Sequence, residues 1–152
     1  MTRNLPASAE RVFDAWLNPA KVGAFLFAGG TARSSVEIDA RVGGHFRYID
    51  DSAGVIRERR GEYYLIQRPR RLVFSCPLPG SGPAADLLTI HLVDLDRGCA
   101  LAVLHELPPR SAHEVQRLEA SWLQILERLA FEIALPESAW RPPLLEGQSA
   151  EG

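Results

Sequence analysis

The sequence predicts an α+β fold, in which a curved antiparallel β-sheet wraps around one long C-terminal α-helix and two short helices lie near the N-terminus. Three observations predict it. Residues 31–107 are a run of segments with a two-residue apolar period, separated by Gly, Pro and Asp clusters. Residues 111–135 carry apolar side chains at helical spacing, and two shorter helical stretches precede the strands. A sheet curved around one helix has a core with an open end, and such cores often hold small apolar molecules.

Each element has a local reason. Ser8 caps a first helix, Ala9–Leu17, with Val12, Phe13, Trp16 and Leu17 on one face. Asn18-Pro19 restarts the chain, with Asn as cap and Pro in the first turn of a second helix reaching about Phe25. Gly29-Gly30 ends it. Ser35–Asp39 then reads as a strand, and Gly43-Gly44 bends the chain into His45–Ile49. Asp50-Asp51-Ser52-Ala53-Gly54 is a hairpin loop into a strand running through Val55–Arg59 to Ile66, with Gly61 marking a bulge or a close backbone approach. Gln67-Arg68-Pro69-Arg70 turns into Leu72–Cys76, and Pro77–Pro83 is a loop. Leu87–Leu95 and Cys99–Leu107 form the last hairpin across Asp96-Arg97-Gly98. Pro108-Pro109 breaks the sheet, Ser111 and Glu114 make a capping box, and Val115, Leu118, Trp122, Ile125, Leu126, Leu129 and Ile133 form the apolar stripe of the long helix. Pro136 stops it. The division is one domain over 1–135 and a poorly ordered tail over 136–152.

A chain of 152 residues can bury a core without disulfides. Seventeen basic against nineteen acidic side chains leave no electrostatic footprint for nucleic acid or an anionic membrane. No apolar stretch is long enough to cross a bilayer, and MTRNLPASAERVF lacks the apolar region of a secretory signal, so a cytoplasmic location is expected. Cys76 and Cys99 form no disulfide framework, and no Cys/His cluster has metal spacing. No cofactor, metal or catalytic motif is expected.

Specific segments carry a resemblance. ASAERVFDAWLNPAKVGAFL, DARVGGHFRY, PRRLVFSC, GCALAVLHEL and ASWLQILERL occur in an order, over residues 7–133, that resembles the SRPBCC (START-like, helix-grip) superfamily. The branch they resemble is the one related to the activator of the 90-kDa heat-shock chaperone ATPase. Ser8, Phe25, Cys76, Cys99 and Ser121 stand where that branch usually has Pro, Trp, Trp, Thr and Gly. Members begin with a longer strand than Met1–Leu5 can supply. The first strand is therefore expected to be short or missing, leaving a sheet edge open to a second copy of the chain or an enlarged mouth.

A three-residue Asp96-Arg97-Gly98 loop sets Leu95 opposite Cys99, so that Thr89, His91, Val93, Leu101, Val103 and His105 share one face. The resemblance implies that Leu101 faces inward, which would carry His91 and His105 towards the helix bearing Trp122. Neither His has an orienting carboxylate visible in sequence, since Glu106 points to the opposite face from His105. Phe46, Tyr48, Tyr63, Phe74 and Trp122, with Leu126, supply a lining for an apolar pocket. Arg57-Glu58-Arg59-Arg60 alternates its charges across a strand, and Arg68-Pro69-Arg70-Arg71 is a solvated turn.

The leading expectation is therefore a protein that binds a small, mostly apolar molecule between sheet and long helix, with His91, His105 or a Tyr orienting its polar end. The alternatives that the resemblance implies are a polyketide cyclase- or dehydratase-like enzyme and a chaperone-interacting protein.

Overall fold

The computed structural model describes residues 1–26, 34–50, 56–75, 86–106 and 111–135. The elements are β1 (Thr2–Leu5), α1 (Ala9–Trp16), α2 (Pro19–Phe25), β2 (Ser34–Ile38), β3 (His45–Asp50), β4 (Arg57–Gln67), β5 (Arg71–Ser75), β6 (Leu87–Asp94), β7 (Cys99–Glu106) and α3 (Ala112–Ala134). The seven strands described make one antiparallel sheet in the order β1-β7-β6-β5-β4-β3-β2. The helices cover its concave face, which is the α+β helix-grip arrangement expected. Gly29-Gly30, the 51–54 loop, Cys76, the Pro77–Pro83 loop, Pro108-Pro109, Pro136 and the 136–152 tail lie outside the described residues.

The predicted caps are present. The Ser8 hydroxyl accepts from Arg11 N at 3.2 Å, Asn18 Oδ1 from Ala20 N at 3.1 Å, and the Ser111 hydroxyl from Glu114 N at 3.2 Å. The C-terminal ends are capped across the fold. Neither α2 nor α3 has a basic residue in its own last turn, so other helices supply the cation. Arg11 of α1 donates to Leu135 O at 2.8 Å, the buried Lys21 of α2 to Glu132 O at 3.4 Å, and Arg128 of α3 to Phe25 O at 3.0 Å. Each such contact stabilises a helix end by about 0.3–1 kcal/mol and ties helix to helix.

Four residues are enough for β1. Thr2–Leu5 pair with Ala102–Cys99, and Met1 O accepts from Val103 N at 2.8 Å. The first strand is short, as expected, but it is present and covers β7 from Cys99 to Val103, so the edge strand on this side of the sheet is β1 itself.

Two glycines fix the sheet. Gly61 faces inward opposite Phe46, and a Cβ there would lie 2.1 Å from both the Phe46 ring and Ser75 O. This is the close approach predicted at that position. The bulge in β4 lies further on, between Tyr63 and Leu65. Gly98 closes the last hairpin with φ of +90°, and a Cβ on it would lie 2.0 Å from Leu5 O.

The β6–β7 register corrects the sequence reading. Asp94, not Leu95, opposes Cys99, and the turn spans the four residues Leu95–Gly98, with Leu95 N donating to Gly98 O at 2.9 Å. A shift of one residue reverses every side chain of β6. Leu88, Ile90 and Leu92 are therefore buried, while Thr89, His91 and Val93 face outward.

Gly98→Ala and Gly43→Ala separate left-handed strain from collision. Gly43 has φ of +84°, but a Cβ added to it would have no neighbour within 4 Å. Urea unfolding is expected to show a loss of about 1 kcal/mol for Gly43→Ala. Gly98→Ala should cost at least about twice as much, because β1 must also move. Equal losses would refute the contact with Leu5.

Candidate functional site

One end of the concave face differs from the rest. β7 ends, β6 begins, β5 ends and β3 ends on this side, and the chain re-enters here at Ser111 to begin α3. Away from it, Leu72, Ile90, Leu101, Cys99 and Leu129 are completely buried. Towards it, Tyr48, Val103 and Trp122 keep 6%, 6% and 7% of their surface. The same gradient runs along α3: Leu126, Leu129 and Ile133 are buried, Trp122 marks the change, and Leu118 and Val115 are only half-buried. The helix grips the sheet with its C-terminal half, while apolar side chains of its N-terminal half stay in partial contact with solvent.

Beneath this end lies an aromatic floor. Phe46, Tyr63 and Phe74 meet with ring centroids 5.8 to 6.1 Å apart. Trp16 of α1 stacks edge-on to Phe25 at 4.9 Å and lies 6.4 Å from Phe74. The Trp16 indole N–H is buried and has no hydrogen-bond partner among the described residues.

On the β6–β7 wall, three side chains form a polar chain. His105 projects inward from β7 opposite Leu88, and Asp86, just before β6, is fully buried on the same side. His105 Nε2 lies 3.1 Å from Asp86 Oδ2, and Trp122 Nε1 donates to His105 Nδ1 at 2.9 Å. An indole N–H can only donate, so Nδ1 must carry the lone pair and Nε2 the proton, and Nε2–H donates a hydrogen bond to Asp86 Oδ2. The network therefore holds a neutral imidazole in one tautomer. It also joins α3 to the sheet where the apolar grip weakens.

The ten candidate residues separate by place. Phe46, Tyr63, Phe74, Leu101 and Leu126 are buried in the floor and core, whereas Tyr48, Val103, His105 and Trp122 surround the open end. His91 is on the other side of the sheet. It is exposed, opposite Ala102 and Arg71, beside an outer-face cleft of about 330 Å³ that Thr89 and Leu104 also line. A second cleft of about 470 Å³, between α1 and the turn at Arg68, is polar and spanned by Arg68 bonds to Asp14 of 2.8 and 2.9 Å. Neither cleft lies between the sheet and α3.

Sequence reasoning missed Asp86, the carboxylate that orients His105. It stands two residues before Leu88 and so on the inward side of β6, a relation visible only in the true register. It also missed Arg59, which faces inward opposite Tyr48. Cys99 remains a small buried apolar residue: burial, and then the Asp94 carboxylate, push its thiol pKa up and keep it protonated. Among the described residues no group of His, Cys, Asp and Glu is placed to hold a metal ion, and no helix is long and apolar enough to cross a membrane.

The tautomer is open to direct measurement. Long-range ¹⁵N–¹H spectra should show His105 protonated at Nε2 and unprotonated at Nδ1 in the wild type and in Trp122→Phe, where Asp86 still accepts from Nε2, with that preference lost only in the double variant Asp86→Ala/Trp122→Phe. A wild-type Nδ1–H form would contradict the network.

Comparison with known proteins agrees with this architecture. Protein CV1439 from Chromobacterium violaceum is 25% identical with a TM-score of 0.68, the match covering 90% of this chain and 96% of that one. An Activator-of-Hsp90-ATPase-like protein from Aeromonas hydrophila is 17% identical with a TM-score of 0.68, covering 91% of each chain. DynU16, from the dynemicin biosynthetic locus, is 22% identical with a TM-score of 0.69, covering 99% of this chain but 58% of its own length. No curated protein matches the sequence. The sequence profile described as Activator of Hsp90 ATPase homolog 1-like protein matches residues 6–133, and the chain belongs to that family.

Proposed function

We propose that this protein binds a small, mostly apolar molecule between the concave face of its sheet and the N-terminal half of α3. The observation that carries this reading is the loss of burial along one apolar stripe, from Leu129 with no exposed surface to Leu118 and Val115, which remain half-buried. Apolar side chains left partly wet on both sides of a cleft gain about 25 cal/mol for every Å² that an apolar occupant removes from water. The small surface that Tyr48 and Val103 keep on the sheet and Trp122 keeps on the helix supports this reading. Folds of this type commonly bind hydrophobic ligands.

Two polar features support an occupant with some hydrogen-bonding capacity. The buried Trp16 N–H is a donor that an acceptor atom on the ligand would satisfy. The Asp86–His105–Trp122 chain offers a fixed polar wall. The cyclase or dehydratase reading gains less from the same geometry. The His105 Nδ1 lone pair is already engaged by Trp122, and His91 is outside, so the two histidines do not share a site as acid and base.

Native mass spectrometry of the protein purified from its own host is expected to show a retained mass of a few hundred daltons, and N-phenylnaphthylamine should quench tryptophan fluorescence on binding. Leu118→Arg should abolish both signals with little change in stability. Leu129→Ala should cost about 2–5 kcal/mol of unfolding free energy, as a sealed core position does. Binding that survives Leu118→Arg unchanged would refute this site.

A further inference from the structure

We infer that the occupant of this cleft is anionic at one end, and that Arg59 is the side chain that receives its negative group. This rests on the binding reading above and adds the chemical class of the ligand.

The inference starts from register. In β4, Arg59 is paired with Tyr48 of β3, and Gly61 with Phe46, so Arg59 belongs to the inward-facing set that continues through Gly61 to Tyr63. Its neighbours Glu58 and Arg60 point the other way, and Glu58 there holds Arg47 at 3.1 Å on the outer face. Arg59 is thus a cation on the same face as the aromatic floor, at the end where the grip opens.

Among the described residues, the other arginines that are partly withdrawn from water are matched to an acceptor. Half-buried Arg3 pairs with Glu127, Arg11 with Leu135 O, Arg47 with Glu58 and Arg128 with Phe25 O. Exposed arginines such as Arg60 and Arg97 need none, because water serves them. Arg59 is half-buried, yet among the described residues it has neither a carboxylate nor a carbonyl partner. A guanidinium moved part-way out of water and left unmatched costs free energy. Its planar fork of donors fits a carboxylate, sulfonate or phosphate in two parallel bonds. An apolar acid, with its body along Tyr48 and Phe46 and its charged group at the rim, meets both requirements.

The test uses a matched pair of probes, anilinonaphthalene sulfonate and its uncharged parent N-phenylnaphthylamine, titrated by fluorescence against the full chain. Arg59→Gln is expected to weaken the sulfonate by about tenfold or more, the size of one charge-assisted contact, and the neutral parent by less than about twofold. Arg60→Gln, one residue away on the outer face, should leave both unchanged. Equal weakening of the sulfonate by Arg59→Gln and Arg60→Gln would mean that only general surface charge is read, and it would overturn the inference. So would a sulfonate affinity that ignores Arg59→Gln while the neutral probe still binds, which would show Arg59 to be turned to solvent along its apolar stem. Failure of the wild type to bind either probe would overturn the binding reading as well.

Discussion

The pairing of Asp94 with Cys99 is the constraint on which the rest of the concave face depends. A sheet has a side-chain period of two, so this one pair decides which half of β6 meets the helices. With it, Leu88, Ile90 and Leu92 join Leu101 and Val103 in the core, and His105 comes within reach of Asp86 and Trp122. Displaced by one residue, the same strand would bury His91 and Thr89 and leave three aliphatic side chains wet. The turn that sets the register also places the first strand, because Gly98 is where Leu5 O passes closest. Hairpin geometry and closure of the β7 edge are thus one structural event.

Closure of the fold is uneven for an equally physical reason. The C-terminal half of α3 is held by buried Leu126, Leu129 and Ile133 and by cations from α1 and α2 on its terminal carbonyls. Among the described residues, the N-terminal half presents half-buried Val115 and Leu118, and Trp122 links it to the sheet through His105 to the buried Asp86. Apolar packing gives way to a directional polar contact at the point where the space opens. A hydrogen-bonded link can fix the distance between helix and sheet without filling the volume between them. On the binding reading proposed above, that division of labour leaves room for an occupant at this end.

Much of this was legible in sequence wherever the cause is local. Ser8, Asn18 and Ser111 announced three helix starts because a capping side chain acts within three residues of itself. Gly61 announced a close approach because only glycine tolerates one. The difference at the last hairpin is also local in origin: Asp96-Arg97-Gly98 suggests a three-residue loop, whereas Leu88, Ile90 and Leu92 mark the more apolar face of β6. Alternation within the strand was the stronger signal, since burial of three aliphatic side chains outweighs the preference for one turn length. Asp86 and Arg59 were missed for a different reason. A single charged residue in or beside a strand takes its meaning from what lies across the sheet, and the partners of these two, His105 and Tyr48, are remote from them along the chain.

By itself, then, the sequence determined the α+β class, the order of elements, the caps and the aromatic supply of the core, because propensity, periodicity and turn chemistry act between near neighbours. Only the tertiary structure decided that His91 lies outside and His105 inside, that a buried carboxylate fixes one imidazole tautomer, and that Arg59 stands opposite Tyr48. Those outcomes depend on strand register and on how far the long helix stands from the sheet. Both are set by many distant contacts acting together, and no short stretch of residues encodes either one alone.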